Sequence, residues 1–460
     1  MHKTVEEIRK SQGKLLVKNV KYSWDNIPYY KQKMKEAGVK PEDIKGLDDI
    51  SKIPFLSKAD LRHHYPYGLI ATPLDRVVRF HSSSGTTGIP TVVPYTKKDI
   101  ENWAELNKRC LETVGATNKD IVQVSYGYGL FTGGLGLHYG AERLGAAVIP
   151  ASSGNTMRQI KILKDMKTTT LACTPSYALM LSELMKANDV KIETLSLKRG
   201  VFGAESWSEN MRKRIEKGLG LEAFDIYGLT ELCGPGVGIE CSEHNGLHTW
   251  SDHFIVETID SEGNKTDVDG EGKGELVFTT LQREAMPVLR YRTKDLSSIT
   301  WEECACGLLH PRIGRITGRS DDMLIVRGVN VFPSQIEEVL IQQIRTKNYE
   351  QIITIAGGSG LIPIEAIYQS QKRMRLINID KSDKALRKMK NNIAKVNDQI
   401  QLIYPVYITE DISKIANITP ISGSKTIVEC TGYIEYLDFD DKTIFVKRLS
   451  EILDKEDVLI

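Results

Sequence analysis

The sequence predicts an α/β protein in two parts: a layered α/β domain with a β-rich subdomain, then a small Rossmann-like α/β domain. Three observations carry this. Between residues 120 and 206, strand-like segments ending in small or polar residues alternate with helical ones. From 250 to 330 the pattern changes to short strands joined by Gly and Asp turns. After residue 340 a fresh, lysine-rich strand–helix alternation begins.

Taken in order, residues 1–80 read as short helices punctuated by turns, WDNIPYYKQKMKEAG and then PEDIKGLDDISKIPFLSKADLRHHYPYG. A Ser/Thr/Gly loop, HSSSGTTGIPTVVPY, occupies 81–95. IVQVSYGYG, AAVIPAS, TTTLACTPS and LKRGVFGAES have the apolar run and small-residue end of buried parallel strands. RQIKILKDMK and SYALMLSELMKAND lie between them as helices. FIVETID, GELVFTTL, VLRYRTKDL and MLIVRGV are the strands of the β-rich part. IITIAGGSGLIPIEAIYQ and MRLINIDKSDKALRKMKNNIAK form a new βαβα unit, so the domain boundary falls near 341–350, dividing 1–340 from 341–460.

Composition narrows the function. The chain has 460 residues, room for two or three cores, with 41% hydrophobic and 26% charged residues. Sixty-one basic residues against sixty acidic ones give a net charge of +1, which argues against nucleic acid and membrane surfaces as partners. The polar start MHKTVEEIRKSQGK lacks the apolar core of a signal peptide, and no run approaches the length that spans a bilayer. Seven scattered cysteines do not make a disulfide framework, so a reducing cytoplasm is the expected compartment.

SSSGTTGIP is not a Walker loop, since it lacks GxxxxGK[ST]. It can still hold phosphate: glycines let backbone N–H groups approach an anion, and hydroxyls add neutral donors. Four motifs follow it in order: FGAES (202–206), IYGLTE (226–231), YRTKD (291–295) and GRSDDMLIVRGVNVFPSQIEEV (318–339).

With these motifs the sequence resembles the adenylate-forming ligases over residues 20–340, and within them the phenylacetate–CoA ligase family. PFLSKADLRHHYPYGL, YGYGLFTGGLGLHYGAERLG and TTLQREAMPVLRYRTKDL add to the likeness. The resemblance implies that Ser83, Ser84, Gly85, Thr86, Thr87 and Gly88 wrap the phosphates of ATP. It puts Gly203, Ala204, Glu205 and Tyr227 at the adenine, Thr230 at the α-phosphate, and Glu231 on Mg²⁺, whose hardness suits a carboxylate oxygen. It further implies that Asp295 accepts the ribose hydroxyls, Arg319 reaches ribose or phosphate, and Asp321 is the hinge of a C-terminal domain. Thr230, Glu231 and Arg319 are then the catalytic group. Tyr126, Phe131 and Ala204 are the expected walls of an aryl-sized acid pocket, because flat apolar faces suit a phenyl ring.

Cys241 and His248 flank the loop CSEHNGLH, and Cys304 and Cys306 form a CxC turn. Three thiolates and one imidazole match a closed structural zinc site, with His244 or His310 as alternatives to His248. Similar residues at these places are common in the family that the chain resembles.

Past Val339 the likeness to ligases stops. IITIAGGSG, followed by INID, resembles the first half of a class I S-adenosylmethionine methyltransferase. That implies a ligand site at Gly358, Ser359, Gly360 and Asp380, with Asp411 at the adenine and CTGYIEYL (430–437) as the fourth-strand region. Two departures are Ala356 in place of the first glycine and Thr354 in place of the usual acid. The chain reaches EDVLI where a fifth strand is expected to begin, so the sheet is expected to be partial and methyl transfer is doubtful.

The function these readings imply is activation of an aryl acid by ATP through an acyl-adenylate, then transfer to coenzyme A, in a homodimer. Three alternatives stay open: an adenylyltransferase acting on another acceptor, a fusion whose ligase activity has decayed, and a methyltransferase that uses the ligase part to recruit a carboxylate.

Overall fold

The helix that opens the chain shows first how the core is tied together. Helix α1 (Val5–Asn26) is capped by Thr4, whose side chain accepts the Glu7 N–H, and has Glu6 and Glu7 in its positive first turn. Ile8, Gln12, Leu16, Asn19, Val20 and Ser23 recur at helical spacing and are buried. Gln12 and Asn19 donate side-chain N–H groups to the carbonyls of Phe254 and Thr280. Pro28 then starts α2 (Pro28–Glu36), a proline at N1 being well tolerated. The N-terminal region was expected to hold only short helices; a 22-residue helix through WDN is the correction.

The structure is a computed structural model that describes residues 4–83, 90–205, 207–267 and 270–320. Beyond these it describes only the strand residues 324–326, 329–331, 351–355, 374–379, 403–408, 426–429 and 458–459. The chain divides into two compact units, Met1–Asn330 and Val331–Ile460. Among the described residues no helix is long and apolar enough to cross a membrane.

The first unit is built on a twelve-stranded sheet. Its parallel half comprises β3 (Ile121–Val124), β4 (Ala147–Ile149), β5 (Thr170–Cys173), β6 (Arg199–Gly203) and β7 (Glu222–Leu229), in the order β4-β3-β5-β6-β7. Helices α5 (Gly133–Leu144), α6 (Thr156–Asp165), α7 (Pro175–Ala187) and α8 (Glu209–Leu219) connect these strands. Every residue of β5 is buried, as a strand covered on both faces requires. The four strands and two helices expected in this stretch are all present, because long apolar runs between turn residues leave little ambiguity.

From β7 the sheet continues antiparallel through β8 (Gly234–Glu240), β9 (Leu247–Thr249), β13 (Arg312–Ile313), β12 (Tyr291–Thr300), β11 (Glu271–Thr280) and β10 (Phe254–Ile259), with β14 (Gly318–Arg319) pairing beside β12. The β-rich part is therefore continuous with the parallel half. Strand β8 escaped the sequence reading because GPGVG looks like a turn. Gly234 and Gly236 have φ of +94° and +100°, where a side chain would be strained.

Two short strands, β1 (Val77–Ser82) and β2 (Val92–Thr96), pair antiparallel on either side of the Ser/Thr/Gly stretch. Thr96 caps α4 (Lys97–Thr113) with a reciprocal Asp99 box, and Asp99 also accepts the N–H groups of Glu284 and Ala285 at 2.9 Å. Helix α4 packs on α5 through glycine: a Cβ on Gly136 would come within 2.6 Å of the Trp103 ring. Helix α3 (Lys58–His63) follows a segment that runs beside β12, with Leu56 bridged to Tyr291.

β15 (Leu324–Val326) and β16 (Val329–Val331) form a separate pair. In the second unit, β17 (Gln351–Ile355), β18 (Met374–Ile379), β19 (Ile403–Ile408), β20 (Thr426–Glu429) and β21 (Val458–Leu459) are all parallel, in the order β19-β18-β17-β20-β21. The fourth strand ends at Glu429, just before the CTGYIEYL stretch where the sequence suggested it. The order reverses between β17 and β20, the topological switch point at which open α/β sheets bind ligands. Gly358, Ser359, Gly360, Asp380 and Asp411 lie outside the described residues.

Candidate active site

The site is built on β7, β12 and β14. Asp295 on β12 stands in register with Arg319 on β14, and the guanidinium closes onto carboxylate oxygen Oδ1. Arg319 also donates to the Thr293 carbonyl at 3.0 Å. The other oxygen of Asp295 accepts the Tyr227 hydroxyl at 2.7 Å, and the Tyr227 ring stacks on Phe278 with centroids 5.9 Å apart. Burial, and then the Asp295 charge beside it, raise the Tyr227 phenol well above its ordinary range, so it stays a proton donor. Tyr227, Asp295 and Arg319 thus form one cluster although 68 residues separate the first two.

Thr230 and Glu231, just beyond β7, are both buried. Glu231 is 4 % exposed, and its Oε1 finds no hydrogen-bond partner among the described residues. Lys58 Nζ lies 3.4 Å from that oxygen. A buried carboxylate oxygen facing an ammonium suits a divalent cation as well, since both want hard negative charge. Lys58 is a neighbour of Glu231 that sequence reasoning did not single out. PFLSKADL pointed to it, but its place depends on the Leu56–Tyr291 bridge and on the Ser57–Asp60 cap that starts α3.

The remaining expected residues are placed as follows. Ser83 accepts the Thr91 N–H at its Oγ, 3.0 Å away, while its own N–H donates to the Thr91 carbonyl. Ser84, Gly85, Thr86, Thr87, Gly88 and Asp321 lie outside the described residues. Gly203 ends β6, and Ala204 follows at φ +71°, a left-handed conformation that is uncommon for a residue with a Cβ and recurs at functional sites. Glu205 turns an oxygen to the Ser176 N–H at 2.6 Å, at the start of α7. Tyr126, 5 % exposed, directs its hydroxyl to the Gly203 carbonyl at 3.4 Å and so stands beside Ala204. Phe131 is more exposed, at 37 %, with its ring over Gly133 at the start of α5.

Elsewhere in the first unit, the ligand atoms of Cys241, His248, Cys304 and Cys306 all lie within 4.8 Å of one another. Cys241 and Cys304 sulfurs are 3.7 Å apart, and Cys306 Sγ is 3.2 Å from His248 Nε2. His248 Nδ1 donates to the His310 carbonyl at 3.0 Å, which fixes the tautomer and leaves Nε2 as a lone-pair donor. Burial, foremost, lowers the His248 pKa to about 4, so the ring is neutral. His244 instead contacts Arg212 and Glu222, and His310 Nδ1 faces Ser251.

Comparison with known proteins adds the family. A model of the AMP-binding enzymes matches residues 2–282. The chain is 48% identical over 355 residues to phenylacetate-coenzyme A ligase of Thermus thermophilus, covering 77% of this chain and 80% of that one. The chain belongs to the AMP-binding enzymes. A second relative of this AMP-binding enzyme, phenylacetate-coenzyme A ligase of Escherichia coli, is 49% identical over 341 residues, covering 74% of this chain and 77% of that one. Its fold is that of a 2-hydroxyisobutyryl-CoA ligase crystallised with its acyl-adenylate and CoA, at a TM-score of 0.71 and 24% identity, with 97% of this chain and 93% of the other covered.

Proposed function

We propose that this AMP-binding enzyme activates a phenylacetate-like aryl acid with MgATP and passes the acyl group to coenzyme A. Two things support the reading: near-half identity to phenylacetate-coenzyme A ligases, and the meeting of Asp295 and Arg319 with Tyr227 of β7, the strand that leads into Thr230 and Glu231. The observation that carries it is Asp295, a buried carboxylate already held by a phenol and a guanidinium. A carboxylate oxygen can accept more than one hydrogen bond, which suits this group to receive ribose hydroxyls.

In the first step a substrate carboxylate oxygen attacks the α-phosphorus of ATP, and the bond to the β-phosphate oxygen breaks to release pyrophosphate. In the second, the CoA thiol, losing its proton, attacks the acyl carbon and AMP leaves with the electron pair. The carboxylate is already a nucleophile, so the work of the protein is alignment and charge stabilisation. Thr230 would donate to an α-phosphate oxygen and Glu231 would hold Mg²⁺. Lys58 would stand as a second positive charge near the phosphates. Tyr126, Phe131 and Ala204 would line the acid pocket, and residues 83–88 the phosphates.

We assign Cys241, His248, Cys304 and Cys306 to a structural Zn²⁺. The donor set suits it: three thiols and one tautomer-fixed imidazole within 4.8 Å. Four protein ligands leave no position for substrate, so the ion would join the β8–β9 loop to the 304–306 turn. Residues 341–460 are proposed as a Rossmann-like domain related to the methyltransferases, standing where such ligases carry their usual C-terminal domain. The all-parallel order β19-β18-β17-β20-β21 supports this. No methyl transfer is assigned to it, and a homodimer in the cytoplasm is the expected setting.

The deciding experiment is release of AMP and pyrophosphate from ATP with a panel of arylacetates, with and without CoA. Thioester formation with phenylacetate is expected. Pyrophosphate release that never requires CoA and yields no thioester would turn the reading toward another acceptor. No turnover with any acid would sink it.

A further inference from the structure

The two residues that end β1, His81 and Ser82, both hydrogen-bond one acceptor, the carbonyl of Leu130. The Ser82 N–H is 2.9 Å from it and His81 Nδ1 is 3.0 Å. A carbonyl only accepts, so Nδ1 carries the proton. His81 is 1 % exposed, and burial, foremost, lowers its pKa, with Arg79 and Arg283 acting in the same direction and the hydrogen bonds to the 129–130 backbone opposing them. The ring is therefore neutral, with Nε2 a buried lone pair that has no hydrogen-bond partner among the described residues.

The imidazole sits edge-on to Tyr95 and Trp103, at centroid distances of 5.3 and 5.6 Å. Both partners reach a third segment. Tyr95 OH donates to the Cys233 carbonyl and Trp103 Nε1 to the Pro235 carbonyl, each at 2.9 Å, just past Thr230 and Glu231. One buried aromatic group thus anchors the strand entering the phosphate stretch, the segment of Leu130 and Phe131, and the segment after Glu231. Leu130 and Phe131 are themselves 65 % and 37 % exposed, so side-chain burial does little to hold them. The two hydrogen bonds to Leu130 O do that.

We propose that His81 is a positioning residue that ties the acid-pocket segment to the phosphate strand, so that acid and ATP favour each other's binding. The proposal rests on the functional reading above. It goes beyond it by placing acid affinity, and its coupling to ATP, in a residue that touches neither substrate. Two ligands are coupled when binding either one orders the same element, and here that element is the Leu130 loop.

The test is steady-state pyrophosphate release with phenylacetate and ATP for wild type, H81F and H81N, with thermal melting of each. H81F keeps a ring between Tyr95 and Trp103 but has no donor; H81N restores a donor close to the backbone. For H81F we expect the acid KM to rise by roughly tenfold, about what one hydrogen bond is worth, with a smaller change in kcat. Saturating acid should no longer lower the KM for ATP, and H81N should recover most of the wild-type behaviour. An H81F enzyme with wild-type acid KM and intact coupling would overturn the proposal, as would equal rises in both KM values that H81N fails to reverse. If H81F does not fold, H81Q, whose donor reaches one methylene further than that of H81N, carries the same comparison, with an intermediate acid KM expected. A wild type that releases no pyrophosphate with any arylacetate overturns the functional reading, and this proposal with it. Turnover by the wild type with an unaltered H81F removes the proposal alone.

Discussion

The guanidinium of Arg319 rests on the carboxylate of Asp295, its register partner across β12 and β14, while the Tyr227 hydroxyl holds the other oxygen at 2.7 Å. In D295N one oxygen becomes an NH₂ group that cannot accept a ribose hydroxyl and confronts the Arg319 donors or the Tyr227 hydroxyl. We expect kcat/KM for ATP to fall by about a hundredfold or more, against only a few-fold for Y227F, which loses one neutral hydrogen bond. Equal effects of the two substitutions in initial-rate assays would contradict this ordering.

Lys58 and Glu231 give a second expectation. With Lys58 removed, the buried carboxylate of Glu231 loses its ammonium neighbour. K58A should slow pyrophosphate release by about ten- to a hundredfold and shift its dependence on Mg²⁺, since on the proposed reading the two cations would share one carboxylate. E231Q, which removes the hard anionic ligand, should respond poorly to added Mg²⁺. A Mg²⁺ titration of K58A that overlays the wild type would show that Lys58 only fills space.

The cysteine–histidine cluster predicts a metal content. Purified protein should carry about one zinc per chain, and C304A or H248A should lose it together with several degrees of thermal stability. Elemental analysis and melting curves check this. Metal-free protein with an unchanged melting temperature would reduce the cluster to buried thiols.

His253, 8 % exposed beside Asp252 and Arg109, gives a pH dependence. Burial, chiefly, lowers its pKa to about 4, below the unfolded value near 6.5. Between these values the unfolded chain binds the proton more readily than the folded one. The stability tied to neutral His253 is therefore complete above about pH 6.5 and is lost as pH falls toward 4. H253N, which cannot titrate, should show a shallower loss of melting temperature than wild type over that window. Parallel curves would refute the assignment.

Much of this could be read from residue order. The parallel strands β3, β5 and β6 and the helices between them followed from apolar runs and turn residues, because such runs have one stable use in a buried sheet. The motifs that hold Thr230, Glu231, Asp295 and Arg319 are local and ordered, so these residues could be singled out as candidates, and the structure buries the first two and pairs the last two. Helix α1 was not read as a long helix: the helical stretch WDNIPYYKQKMKEAG was drawn across Pro28, where the structure ends α1 and starts α2. Strand β8 was missed because its glycines serve left-handed backbone rather than a turn.

By itself, then, the amino-acid order determined the α/β class, an ordered set of motifs and the pool of cysteines and histidines that could cluster, all of which rest on local pattern. The tertiary structure decided what depends on distant pairing. It chose His248 over His244 and His310, because the β9–β13 register sets its Nε2 beside Cys306 while the other two rings contact Arg212, Glu222 and Ser251. It brought Lys58 to Glu231 through a strand bridge at Tyr291, and it set His81 beneath Leu130. The contacts of His248 with Cys306, Lys58 with Glu231 and His81 with Leu130 join residues 49 or more positions apart, and no local periodicity encodes a separation of that length.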